Sequence, residues 1–179
     1  MNIKIALVIA LILALAITGC SSGLIQKAES KYLAQEYQVA ADLYGEYLAK
    51  QPEAYLARRN LGYSLLKIGQ TEQAVRQFEK IIIDHPSETF SHLYLGLAYL
   101  RLGDYQKTLS TWEQIEANGR PIIMKEMVSQ TSRVAAIGPI ISTNELDDFA
   151  KRAEAAIEEA LFAEQQRNAY NAARLGECG

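Results

Sequence analysis

Cysteine and histidine are scarce in this chain, two of each among 179 residues, at positions 20, 178, 85 and 92. A structural zinc site takes about four such ligands at close spacing, so a metal centre is excluded. Lysine and arginine nowhere form a dense run, and the formal net charge is −3. A nucleic-acid surface needs clustered cations to neutralise phosphates, which removes that class of partner. Also missing are G-x-S-x-G, H-E-x-x-H and any glycine-rich phosphate loop, and Cys178 has no histidine near it in sequence. Nucleophilic, zinc-hydrolase and nucleotide chemistry lose their usual carriers, and the chain reads as a non-enzyme without a cofactor. Proline is limited to four residues, Pro52, Pro86, Pro121 and Pro139, each at the edge of an expected helix.

What is present suffices for one folded domain. Hydrophobic residues make up 49% of the chain, and aromatics, mostly tyrosine, are spread from Tyr32 to Tyr170 without low-complexity tracts. The first residues have a different character. Lys4 gives a short positive start and Ile5 to Ile17 is an unbroken apolar run, the pattern of a secretory signal. Those 13 residues would rise only ~20 Å as a helix, whereas a bilayer core is ~30 Å thick. A permanent membrane span is the weaker reading. The stretch ends in Ile17-Thr18-Gly19-Cys20, which resembles the bacterial lipobox: a branched apolar residue, two small residues, then the cysteine that is lipidated and becomes the new N-terminus. Ser21 follows where that resemblance implies transfer to the outer membrane facing the periplasm, or the outer face of the plasma membrane in a single-membrane bacterium. A disulfide between Cys20 and Cys178 is the competing use of the same residue.

A repeat governs the rest of the chain. Leu61-Gly62 recurs as Leu95-Gly96, Gly69 as Gly103, Phe78 as Trp112 and Pro52 as Pro86, each 34 residues apart. The period and its residues resemble the tetratricopeptide repeat (TPR). The second repeat, Tyr55 to Glu88, carries Leu61-Gly62, Ala74-x3-Phe78 and Pro86; the third, Thr89 to Ile122, carries Leu95-Gly96, Tyr99 and Thr108-x3-Trp112. A first, degenerate repeat keeps Ala28, Tyr37, Ala40-x3-Tyr44 and Pro52. Glycine inside a helix costs about 1 kcal/mol relative to alanine, so Gly62 and Gly96 are expected where a paired helix comes close, with Ala74 as the residue packed there. Gly69 and Gly103 are expected in the left-handed conformation that ends a helix. His85, which precedes Pro86 at a repeat boundary, and His92, where the repeat pattern normally has its Trp, read as structural.

Beyond the repeats, Met124, Met127, Val128, Thr131 and Val134 follow helical spacing up to Gly138-Pro139. Ser142 and Glu145 have capping-box spacing, and Leu146, Phe149, Ala153, Ile157, Ala160 and Leu161 form one apolar stripe on a long last helix, whose acidic residues read as a solvated face. That helix either covers the last repeat or is itself a pairing surface. The expected fold is all-α: a TPR-type helix-hairpin solenoid with a long C-terminal capping helix. Residues 1–19 are the lipoprotein signal peptide and 20–23 the lipidated Cys20 with a short tether. The three repeats occupy 24–122, the helical extension 123–172 and the tail 173–179.

The resemblance implies function through a surface. TPR domains hold an extended or helical segment of a partner in a groove lined by the first helix of each hairpin. Those positions are Leu56, Arg59, Tyr63, Leu66 and Lys67 in the second repeat and Phe90, Leu93, Leu97, Leu100 and Arg101 in the third. The set is apolar and aromatic with a basic lip, suited to an amphipathic, acidic peptide, unless the last helix closes it. Ile25, Glu29, Phe90 and Tyr94 stand where carboxylate-clamp TPR domains place Lys, Asn, Lys and Arg, and only Asn60 agrees. The implied role is a lipid-anchored scaffold that holds an envelope protein or peptide during assembly of secretin, pilus, β-barrel or peptidoglycan machinery. The alternative is a structural subunit that forms a homo-oligomer through its last helix or Cys178.

Overall fold

A computed structural model of the protein describes residues 23–116 and 119–176. Among them are helices and turns only: α1 (residues 23–33), α2 (Tyr37–Lys50), α3 (Tyr55–Lys67), α4 (Thr71–Asp84), α5 (Thr89–Arg101), α6 (Tyr105–Trp112), α7 (Pro121–Ile137), a single 3-10 turn (Gly138–Ile140) and α8 (Thr143–Gly176). This is the expected all-α, helix-hairpin class. The expected signal peptide, Cys20 and Cys178 lie outside the described residues. The expected tail begins inside α8, which continues helical to Gly176. No helix among the described residues is long and apolar enough to cross a membrane. Two units divide within α4, one ending at Gln77 and the other beginning at Phe78.

The repeat is clearest at the hairpin turns. After α1, α3 and α5 the chain makes the same reversal, with Glu36 N–H donating to Lys31 O (3.0 Å), Gln70 N–H to Leu65 O (2.9 Å) and Asp104 N–H to Tyr99 O (2.9 Å). A second bond runs inside each loop, from Gln35 to Tyr32, Gly69 to Leu66 and Gly103 to Leu100. These paired bonds define the Schellman motif, whose penultimate residue is left-handed. Gly69 (φ 79°) and Gly103 (φ 74°) adopt that conformation as expected, and so does Gln35 (φ 58°), at the same point of the first repeat. A side chain there costs about 1–2 kcal/mol, partly offset by the chain entropy that glycine would lose on folding. Gln35→Gly is therefore expected to stabilise the protein by about 0.5–1 kcal/mol, read as a higher denaturation midpoint at unchanged slope. A midpoint that stays or falls would mean that the glutamine side chain compensates its backbone.

In the first unit, Ala28 of α1, Ala40, Tyr44 and Leu48 of α2 and Ala57 of α3 form a buried cluster, bordered by Ile25, Tyr32, Leu43, Tyr47 and Leu61. Alanines at the crossing points let three helices approach closely while Tyr44 fills the space between them.

The second unit is organised on α5, which is buried almost all round and packs against α6 and α8. A helix that is apolar on every side belongs in an interior. Gly96 of α5 is the closest approach: a Cβ there would lie 2.1 Å from Trp112 Nε1. The paired helix comes close at Gly96 as expected, and the residue seated on this glycine is Trp112. Its indole donates to Leu93 O at 3.1 Å. His92 is buried and donates through Nε2 to Pro86 O (2.7 Å), tying the start of α5 to the turn before it.

Pro121 starts α7 and Gly138 ends it, as the spacing predicts, and one expectation about the extension needs correction. On α7 the buried residues are Ile123, Met127, Gln130 and Val134, whereas Val128 is exposed and Met124 and Thr131 are half-buried. The buried four are spaced i, i+4, i+7 and i+11 along one face, with Met124, Val128 and Thr131 on the flank beside it. On α8 the stripe holds at Phe149, Ala153, Ile157 and Ala160, but Glu154 and Glu164 are buried beside it, 6% and 3% exposed. The acidic residues of α8 are therefore not all a solvated face. Glu145 does close half of its capping box, accepting from Ser142 N–H (3.3 Å) and Ser142 Oγ (2.5 Å). Those two bonds hold its carboxyl below the usual carboxylate range.

Candidate functional site

In the first unit α1, α2 and α3 bring four tyrosines together. The Tyr32 ring lies edge-on to Tyr37, Tyr44 and Tyr63, with centroids 6.1, 6.2 and 5.6 Å away, and Tyr37 meets Tyr63 at 5.7 Å. Edge-to-face contact is the preferred arrangement of such rings. Lys67 Nζ stands 5.5 Å from the Tyr63 centroid and 6.0 Å from that of Tyr37, within cation–π range. Tyr63 and Lys67, two residues expected to face a partner, are thus joined to Tyr37, and Leu66 is fully buried.

Leu56 is the exposed residue of that set in this unit, while Arg59 and Lys67 are half-buried. Leu56 is 50% exposed, and it forms one wall of a cleft of about 330 Å³ between α1 and α3. Ile25 and Glu29 of α1, Tyr47 of α2, Glu53 and Ala54 of the following turn and Tyr55, Ala57 and Asn60 of α3 complete it. Asn60 donates to the Tyr44 hydroxyl at 3.1 Å. Burial raises the Tyr44 hydroxyl above its ordinary range against the lowering effect of that bond, and the charge of Glu29 adds to the rise.

In the second unit Leu93, Leu97 and Leu100 are fully buried. Arg101, expected on a basic lip, is ion-paired with Glu154 of α8. Phe90 lies under the Arg120 guanidinium, 4.8 Å from ring centroid to carbon. Here the last helix closes the face of α5, the covered one of the two arrangements left open by the sequence. Glu164 completes the closure by accepting from Ile122 N–H (2.8 Å) and Ile123 N–H (3.4 Å) at the start of α7. Arg167 bonds Glu164 (2.7 Å) and Gly119 O (2.7 Å). Burial pushes the Glu164 carboxyl up, but the bonds from Arg167 and the two amides outweigh it and hold the group low. Sequence reasoning missed Glu154 and Glu164, although both recur at helical spacing with Ala150, Ile157 and Leu161, an acid on an apolar stripe.

A sequence model of the tetratricopeptide repeat matches residues 25–70 and 60–117, together half of the chain. The chain belongs to the tetratricopeptide repeat family. Among solved structures it is similar to the Sgt2 TPR domain from Aspergillus fumigatus, with a TM-score of 0.50 and 21% identity over 78% of this chain and 80% of that one. At that identity the likeness concerns the fold. A search of curated proteins finds no significant match. TPR domains bind protein or peptide partners and are typically non-catalytic scaffolds, so the surface left open in the first unit is the place to look for a partner.

Proposed function

We propose that this TPR protein is a scaffold of the bacterial cell envelope, anchored by lipid on Cys20 in the outer membrane and holding another envelope protein while a secretin, pilus, β-barrel or peptidoglycan complex is assembled. The lipobox-like stretch before Cys20 supports the anchor. The observation that carries the binding role is the cleft of the first unit, where a large apolar side chain, Leu56, stays half exposed beside a 330 Å³ space. Exposed apolar surface at a concave site marks an interaction surface.

Crosslinking in intact envelopes, followed by capture of the full-length protein, tests the binding role. Leu56→Glu should abolish recovery of the partner that the wild type captures; equal recovery removes the cleft from the mechanism. Cys20→Ala should move the protein from the membrane to the soluble fraction, and unchanged membrane attachment would refute the anchor. A second reading, self-association through α8, is favoured by the exposure of Phe162 and Tyr170. A monomer in sedimentation under both reducing and oxidising conditions would refute it.

A further inference from the structure

The cleft between α1 and α3 has a one-sided chemistry. Its charged lining is the carboxylates of Glu29 and Glu53; Asn60, Tyr47 and Tyr55 add neutral polar groups, and no Lys, Arg or His contributes to it. One donor of Asn60 is already committed to Tyr44, which leaves its carbonyl oxygen as a further acceptor. Neither Glu29 nor Glu53 makes an ion pair among the described residues. Between these acceptors stand Ile25, Tyr47 and Leu56. The volume sits near the lower end of the range of about 300–1,000 Å³ for ligand pockets. It suits anchoring side chains of a segment, with the remainder lying outside.

Glu29 and Glu53 are both exposed, and the negative field of two carboxylates beside an apolar wall complements a segment that presents a cation next to an apolar side chain. The same field repels acidic peptides and anionic lipid headgroups. Resting on the scaffold reading above, we infer that this cleft recognises a cationic segment of the partner protein, an arginine or lysine next to a leucine-like side chain. The cation meets Glu29 and Glu53, and the apolar neighbour covers Leu56. This reverses the charge expected for the partner from the basic lip of Lys67 and Arg101, since Lys67 lies over tyrosine rings and Arg101 is paired with Glu154.

Two fluorescent amphipathic peptides of equal leucine content test the inference, one with arginine and one with glutamate at its polar positions. Their binding to the purified full-length protein is followed by anisotropy. The arginine peptide should bind, and Glu29→Gln with Glu53→Gln should weaken it about tenfold or more, with the wild-type affinity falling as salt is raised. Glu29→Lys with Glu53→Lys should transfer the preference to the glutamate peptide, which shows that the variant is folded. Equal binding of both peptides, no binding of either, or indifference to the glutamine pair overturns the inference. Envelope crosslinking separates this failure from that of the scaffold reading: capture abolished by Leu56→Glu but kept by the glutamine pair refutes the charge recognition and leaves the scaffold standing.

Discussion

Glu154→Ala is expected to destabilise the second unit by about 3 kcal/mol, near the low end of the cost of breaking a buried ion pair. Glu154 and Arg101 are held between α8 and α5 with side chains only 9% and 18% exposed. Removing the carboxylate leaves the guanidinium desolvated without its Glu154 partner, and Arg101 Nε is already buried without a hydrogen bond. An exposed pair would be worth only about 0–1 kcal/mol, so the size of the loss distinguishes the two environments. The single tryptophan of the chain, Trp112, lies in this unit and reports its unfolding by fluorescence during a denaturant titration. A change within about 0.5 kcal/mol would show that the pair is effectively at the surface.

The complementary expectation concerns the pair as a whole. Replacing both partners by apolar residues of similar size, Arg101→Met with Glu154→Leu, should bring stability back to within about 1 kcal/mol of wild type. Burial penalises an orphaned charge far more than it rewards a matched pair. If the double variant is as unstable as the sum of its single changes, α8 is held on α5 by the specific bond and not by the leucines beneath it.

Residues with local conformational meaning made the hairpins legible. Gly69, Gly103, Pro52 and Pro86 mark where a helix stops whatever surrounds it, and their period of 34 exposed the fold. Gln35 was invisible to that reasoning because the reversal demands a positive φ, which glycine makes easy and does not monopolise. Contacts between distant segments were harder to read. Nothing near Leu93, Leu97 or Leu100 says that a helix 50 residues onward covers them, and these leucines suit a groove and a core equally well. Glu154 and Glu164 show the limit of apolar patterning: an acid is assigned to solvent unless its partner is known, and the partners are an arginine on α5 and backbone amides at the start of α7. The open cleft was half legible. Leu56 was identified from its position in the repeat, but Glu29 and Glu53 gained meaning only when α1 and the turn before α3 brought them to the same space.

Gly96→Ala is expected to cost about 3 kcal/mol or more, although helix propensity alone would make the change stabilising by about 1 kcal/mol. The added methyl would sit 2.1–2.7 Å from three atoms of the Trp112 indole, far inside van der Waals contact. The ring cannot simply swing aside. Trp112 is 3% exposed and its Nε1 donates to Leu93 O, so displacement strands a buried donor at about 1–3 kcal/mol and strains the packing of α6 on α5. Trp112→Leu should by itself cost about 3 kcal/mol through the cavity it leaves. Combined, the two changes should cost less than their sum by about 1–3 kcal/mol, because the smaller side chain makes room for the methyl. Far-UV circular dichroism during denaturation measures all three variants without relying on the tryptophan. Additive costs, or a more stable Gly96→Ala, would mean that the glycine serves some purpose other than the seat of this indole.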